Sequence, residues 1–384
     1  MRFWAAIAVA YLASAPLTTT ASTDPAWEQW QTVSGVFDLA GPRSDGSLVV
    51  AGSASLYLAD PAGNVTPFAR GPSGYNEDPG AEAYLVVASA AHVAAAGCNF
   101  VRDEIFVLRL HSPLGIERVD AAGGNTGNFA NVAGVTSLNG IAFDTTGRFD
   151  HRLLASGVAG GKTVIAAIDC RGNAQVITSS APALEGGLAV APDNFGSFGG
   201  FLIAPDELSG TIYAIAPDGT VQTVAKPALP VGGDIGVESI GFVPAGFMRG
   251  GKVYYADRKT PNNPHPGTDS VLRLSSADLA AAGVHEGDML VATEGGASLI
   301  DVRCAASCTV IQVVATPTTA HGEGHIVFTI DKVAVTPSPS ARPSPKPAAQ
   351  SSRSSSAFIV LGLAVAAVLV VGIAIGIVAS RRRG

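Results

Sequence analysis

The chain has 384 residues, 47% hydrophobic and 14% charged, with a formal net charge of −7. An acidic balance argues against a nucleic-acid binder, which would carry a basic face, and permits cation binding. Set aside its two ends, and roughly 300 residues are left, enough for one large core.

The N-terminus reads as a signal peptide over residues 1–22. Met1-Arg2 is a short basic start, residues 3–12 are apolar, and Ala13-Ser14-Ala15 supplies small residues. The apolar run is too short to span a bilayer. Pro16 disfavours a cut after Ala15, which moves the expected cleavage to near Ala21-Ser22.

From 27 to 335 the chain repeats itself. Residues 185–225, EGGLAVAPDNFGSFGGFLIAPDELSGTIYAIAPDGTVQTVA, hold four short apolar runs bounded by Gly, Pro, Asp or Asn. Such runs make an antiparallel meander. Residues 139–178 repeat the unit, with Arg171-Gly172-Asn173 in the place of Pro217-Asp218-Gly219. Residues 35–69 hold SLVVAG and SLYLADPAGNV, and 82–121 are a weaker copy with EIFVLRL and GIERVDA. Residues 238–294 begin ESIGFVPAGFMRGGKVYYADRK and continue past an insertion at 260–269 to VLRLSSADL and MLVATE, which predicts one further four-stranded unit. SLIDVRC, TVIQVVA and HIVFTID then form a last copy one strand short.

Six copies at a period of roughly 40–50 residues predict an all-β fold, a six-bladed β-propeller. Residues 27–33, from Trp27 to Val33, are expected to give the last blade its missing outer strand and close the ring.

Cys98, Cys170, Cys304 and Cys308 are an even set. Outside the cytoplasm they suggest disulfides, and three pairings exist in principle. The short spacing of Cys304 and Cys308 suits a hairpin staple, which leaves Cys98 for Cys170. Zinc is the alternative, without the CxxC knuckles that would support it.

In a propeller the residue before each innermost strand points at the axis. Those positions hold Glu82, Asn139, Glu185, Glu238 and, on this alignment, Glu294. Converging oxygen donors suit Ca²⁺ or another divalent cation. In His321-Gly322-Glu323-Gly324-His325, strand geometry would turn both imidazoles and the carboxylate one way, as a zinc site needs. The plainer reading is a polar loop before HIVFTID.

The blade GLAVAPDNFGSFGGFLIAPDELSGTIYAIAPDG resembles NHL-type blades and the senescence-marker/gluconolactonase-like group of six-bladed propellers. The resemblance extends over residues 35–332 and is close only at this blade. It implies a divalent metal held in the channel mouth, with Glu185, Glu238 and Asn139 as the metal ligands. No Asp of the later blades matches that family's acidic base.

Other catalytic signatures are missing: there is no GxSxG elbow, and Gly160-Gly161-Lys162-Thr163 lacks the spacing of a phosphate loop. Asn64-Val65-Thr66 fits a glycosylation acceptor in a eukaryotic host. The insertion 259–269, with Asn262, Asn263 and His265, is the most loop-like stretch and a natural place for binding residues.

Residues 336–356 are a Pro/Ser-rich stalk, too poor in large apolar side chains to form a core. Residues 357–379 carry no charge and are long enough, at about 1.5 Å per residue, to cross a bilayer as one helix. Gly372 and Gly376 within them follow the ordinary glycine content of such helices. Arg381, Arg382 and Arg383 make 380–384 a basic cytoplasmic tail. The expectation is a single-pass type I protein of the plasma membrane with its β domain outside the cell. Its expected role is ligand or protein binding at the cell surface, with no nucleic-acid partner. A divalent-metal-dependent, lactonase-like hydrolase and a structural envelope protein are the alternatives.

Overall fold

The computed structural model describes residues 25–52, 55–69, 82–314 and 318–331. The signal peptide, stalk, membrane helix and tail expected from the sequence lie outside them. No helix among the described residues is long and apolar enough to cross a membrane.

Strand β1 (Glu28–Thr32) comes first and is used last. Blade 1 is β2 (Asp38–Ala40), β3 (Leu48–Gly52), β4 (Ser55–Ala59) and β5 (Val65–Ala69), paired in that order from the axis outward. Blade 2 starts with β6 (Leu85–Val87), makes a side hairpin of β7 (His92–Val93) and β8 (Cys98–Asn99), and resumes with β9 (Ile105–Arg109), β10 (Gly115–Val119) and β11 (Asn125–Asn131). Blade 3 is β12 (Ser137–Phe143), β13 (Leu153–Ala159), β14 (Lys162–Ile168) and β15 (Ala174–Ala181). Blade 4 is β16 (Ala189–Val190), β17 (Leu202–Asp206), β18 (Thr211–Ile215) and β19 (Val221–Ala225).

The last two blades depart from the sequence reading. β20 (Val237–Phe242) is the inner strand of blade 5, yet β21 (Gly251–Asp257) and β22 (Ser270–Ser275) do not pair with it. They cross into blade 6. After helix α1 (Ser276–Ala281) the chain returns and completes blade 5 with β23 (Met289–Thr293), β24 (Leu299–Cys304) and β25 (Cys308–Val314). β26 (Gly322–Ile330) is then the inner strand of blade 6, in the order β26-β21-β22-β1. The 238–294 segment is therefore not one meander. It looks like one because each strand matches its local template, whereas pairing is decided by which neighbour buries it.

The expected outer-strand closure is present. β1 runs antiparallel to β22, with Glu28 opposite Arg273 and Thr32 opposite Ser270. The Trp30 and Tyr254 rings lie 4.8 Å apart, and Trp27 Nε1 donates to Ala297 O at 2.8 Å. All six blades and both disulfides are complete between residues 28 and 330.

Packing explains the composition of the runs. The second strands of blades 1, 2, 4 and 5 (LVVAG, IFVLR, LIAPD and MLVAT) are buried along their whole length, because a neighbouring blade covers each face. Outer strands such as β5 and β19 are only partly covered. The turn before the outer strand has a recurring device. Asp60, Asp120 and Asp169 each accept the backbone N–H four residues on, at 2.8, 2.9 and 3.0 Å. The glycines of these turns, Gly63, Gly123 and Gly172, have φ of +93°, +93° and +83°. A Cβ there would also strike the outer strand of the preceding blade, at Gln31, Phe68 and Phe129. Only glycine satisfies both demands. In blade 5 the Cys304–Cys308 disulfide occupies the corresponding hairpin, and Cys98–Cys170 ties the β7–β8 hairpin to blade 3.

Removing β1 uncovers β22 and the Tyr254 ring. A chain starting at Gly35 is expected to lose about 3 kcal/mol or more, the usual cost of one buried aromatic, read as a lower urea midpoint than that of a chain starting at residue 25.

Candidate functional site at the channel axis

The inner strands run the same way around the axis, as the parallel bridge between Gly187 and Ser239 indicates. Their N-terminal ends gather at one mouth, where backbone bonds fix neighbouring blades to each other. Gly186 N donates to Asn139 O at 3.0 Å, Gly187 N to Glu238 O at 2.9 Å, and Gly322 N to Glu294 O at 2.7 Å. Three of the sequence-expected positions are thus held in place through their own carbonyls.

Acidic side chains converge there from two kinds of position. Glu82, Glu185, Glu238 and Glu323 belong to the starts of inner strands; Glu207 and Glu294 directly follow the second strands β17 and β23. Asp234 reaches in from the loop before β20, with φ of +64°. Arg258, directly after β21, is the equivalent of Glu207 and Glu294 in blade 6. It bonds Glu82, and Glu323 at 3.0 Å.

Glu294 therefore does not precede an inner strand, as the linear repeat alignment implied. In blade 6 that place is taken by Glu323, from the His-Gly-Glu-Gly-His stretch. That stretch is neither a loop nor a three-ligand face. All three side chains are buried in or beside β26, and the bulge around Gly324, at φ of +70°, turns His325 away from His321 and Glu323. His321 Nε2 lies 2.8 Å from Glu294 and 3.8 Å from Glu323. His325 turns to Asp38, 2.9 Å away, and its Nε2 lies 2.7 Å from Ile141 O.

The structure brings Asn139, Glu185 and Glu238 to the same mouth in different settings. Asn139 is fully engaged: its amide donates to Leu184 O at 2.8 Å and its oxygen accepts from Ser156 Oγ at 3.0 Å. Glu238 is buried, bonded at 3.0 Å by Tyr84 Oη, which also reaches Glu323 at 3.2 Å. Glu185 lines a cleft of ≈ 120 Å³ between blades 3 and 4 together with Asn139, Lys162 and Glu207. Sequence reasoning missed Glu207, Arg258 and Asp234, and named Glu323 only as a zinc-type ligand beside the two histidines. Glu207 and Arg258 had a signal, since each directly follows an apolar second strand.

So many carboxyls cannot all ionise side by side. Burial pushes Glu185 up to about 7, helped by Glu207 and Glu82. Burial and a hydrogen bond with Glu294 push Glu207 up to about 8. Glu294 is raised to about 7 by burial, with Asp234 and Glu82 adding to it. Glu238 and Glu323, wholly buried, are driven well above the carboxylate range by burial and then by their acidic neighbours. Burial and then Arg258 lower His321, which keeps it neutral and able to ligate a metal. Ligand atoms of Asp234, Glu294 and His321 lie within 4.8 Å of one another. Two buried atoms of the cluster, Glu207 Oε1 and His321 Nδ1, have no hydrogen-bond partner among the described residues. A divalent ion suits this donor set: it would remove the mutual repulsion and satisfy orphaned lone pairs.

No protein-family model matches the chain, and no curated protein matches its sequence. Among solved structures, it is similar to a streptogramin B lyase (14% identity, 80% of this chain and 92% of that one, TM-score 0.44). It is also similar to a catalytically inactive virginiamycin B lyase from Staphylococcus aureus with quinupristin (12% identity, 78% and 76%, TM-score 0.42). A structure assigned to the gluconolactonases matches at 12% identity over 61% of this chain and 71% of that one, with a TM-score of 0.35. At such identities and TM-scores nothing of their chemistry transfers to this chain. Its own strand order makes it a six-bladed β-propeller.

Two expectations follow. Glu185, Glu207 and Glu294 bind protons more tightly folded than unfolded, so their contribution is full below the usual glutamate range and is lost as pH rises to about 8. His325 acts in the same direction: burial opposes its charge, but Asp38 more than offsets that and its pKa is raised, so its contribution fades as pH rises through that value. Melting in EDTA should therefore be highest near about pH 5 and fall by roughly 5 °C or more by about pH 8. Asp38→Asn leaves the buried His325 without its counter-ion and should cost roughly 3–5 kcal/mol in urea unfolding near neutral pH.

Proposed function

We propose that this chain is a cell-surface binding module that holds a divalent cation in the acidic mouth of its propeller channel. The carrying observation is the buried, unpartnered Glu207 Oε1 beside the Asp234, Glu294 and His321 cluster. Asp234, Glu294 and His321 would supply the ligands, with Glu207 and Glu185 completing the shell and Glu238 and Asn139 further back. An imidazole among carboxylates suits Mn²⁺ or Zn²⁺ better than Ca²⁺, which prefers an all-oxygen shell. Cell-surface display rests on the leader at 1–22 and the apolar run at 357–379, both read from the sequence.

The ≈ 120 Å³ cleft beside Glu185 and Glu207 favours a second reading, a metal-dependent hydrolase acting on a small lactone or ester. It would seat one group of such a substrate against the cation, which acts as a Lewis acid when bound.

The test uses residues 25–333, which contain the whole ring. At a hundredfold excess over Kd, Mn²⁺, Zn²⁺ or Ca²⁺ should stabilise it by about 2.7 kcal/mol, reversed by EDTA. Glu294→Gln should abolish most of that shift while raising the metal-free melting temperature. If no divalent ion moves the melting curve at about pH 8, above the carboxylate pKa values, the cation reading fails. Lactone or ester turnover lost in Glu294→Gln would select the hydrolase.

A further inference from the structure

The opposite end of the channel has the reverse chemistry. There the C-terminal ends of the same inner strands enclose a cavity of ≈ 750 Å³, walled by one side chain or more from every blade, among them Leu39, Val86, Phe143, Leu188, Ile240 and Ile326. We infer that this cavity is a second binding site, one for an uncharged, apolar small molecule. The inference is independent of the cation reading, since it concerns the other mouth.

Shape comes first. Six inner strands make a closed wall, so the feature is a cavity rather than a flat patch, and its volume lies in the range of small-molecule pockets, about 300–1,000 Å³. Charge comes second. Glu286 is the one carboxylate among the lining residues, and it accepts from Met248 N at 3.1 Å. His325, at the inner end, commits Nδ1 to Asp38 and Nε2 to Ile141 O. His325 is thereby committed at both nitrogens, Glu286 is an exposed anion among otherwise apolar or neutral side chains, and no lining residue is a lysine or arginine to hold an anionic ligand. Water against such walls finds few side-chain partners, so an apolar molecule that displaces it gains free energy. A charged ligand would lose its hydration for nothing in return. His325 lines this cavity and no residue of the acidic mouth does, so the two ends offer different ligands different sites on one axis.

The experiment titrates residues 25–333 with N-phenyl-1-naphthylamine, an uncharged dye that brightens in apolar surroundings. Saturable binding of one dye per chain is expected, unchanged by EDTA or by Glu294→Gln. Ala189→Trp, which fills the cavity, should weaken it at least tenfold. Should Ala189→Trp fail to fold, Thr145→Trp at the exposed rim obstructs entry without entering the core and should weaken binding likewise. Non-saturable brightening, or binding that folded Ala189→Trp or Thr145→Trp leaves intact, would overturn the inference. So would loss of binding with EDTA, which places the dye at the acidic mouth. Sedimentation showing a dimer that excludes the dye would also overturn it, in favour of a second copy of the chain as occupant.

Discussion

One buried carboxylate holds the axis together. Asp38 begins the inner strand of blade 1 and accepts Leu39 N from its own blade, Leu85 N from blade 2, and both His325 N and His325 Nδ1 from blade 6. His325 then passes the connection to Ile141 O of blade 3. Four of the six blades are thereby referred to one carboxylate with no solvent access. Away from this knot and the backbone bonds at the acidic mouth, the blades touch largely through apolar faces, which are indifferent to small slides. A directional, charge-assisted knot fixes how far each inner strand protrudes along the channel. That setting determines which side chains meet at either mouth.

The consequence is a channel of two halves. On the side where inner strands begin, side chains that would be solvated on an ordinary loop are forced together, and the carboxyls resist ionisation. On the side where they end, the same strands show only aliphatic and aromatic faces. The ring imposes this polarity: every inner strand enters by the same face, so a residue type recurring at one point of the repeat is multiplied around the axis. Glutamates at the entry and branched aliphatics at the exit are such recurrences.

Much of the ring was legible because its signals are local. Short apolar runs, the Asp-to-Gly turns at Asp60, Asp120 and Asp169, the Cys304–Cys308 hairpin and the spare Trp27–Trp30 segment each declare themselves within a few residues. Strand exchange between blades 5 and 6 was not legible. β20 and β21 carry the same local pattern as β16 and β17, and nothing in that pattern says that β21 pairs with β26, a partner about seventy residues away. The site suffered in proportion. Positions before inner strands were readable, giving Glu82, Asn139, Glu185 and Glu238. Glu323 was seen as a candidate ligand but not as the opening of an inner strand, because that blade could be found only by knowing the exchange. His321 and His325 were misjudged because the glycines between them read as a polar loop; both are buried with β26, and the bulge at Gly324 turns only His325 away, to Asp38.

The exchange and the acidic mouth belong together. Glu238, Arg258, Glu294, His321 and Glu323 come from blades 5 and 6, and blade 6 is assembled from three separate stretches of chain. Crowded, partly protonated carboxyls are a local liability, since each is held against its preference for water. In a blade made from one continuous meander, that strain could be relieved by fraying a single hairpin. Here β21 and β22 cannot leave without unpairing β26 and β1, and β23 cannot leave without detaching from β20. Local opening is therefore coupled to opening of the ring, and the acidic side chains stay in a geometry they would not keep alone. The interlock thereby holds crowded, partly protonated carboxyls in one fixed arrangement.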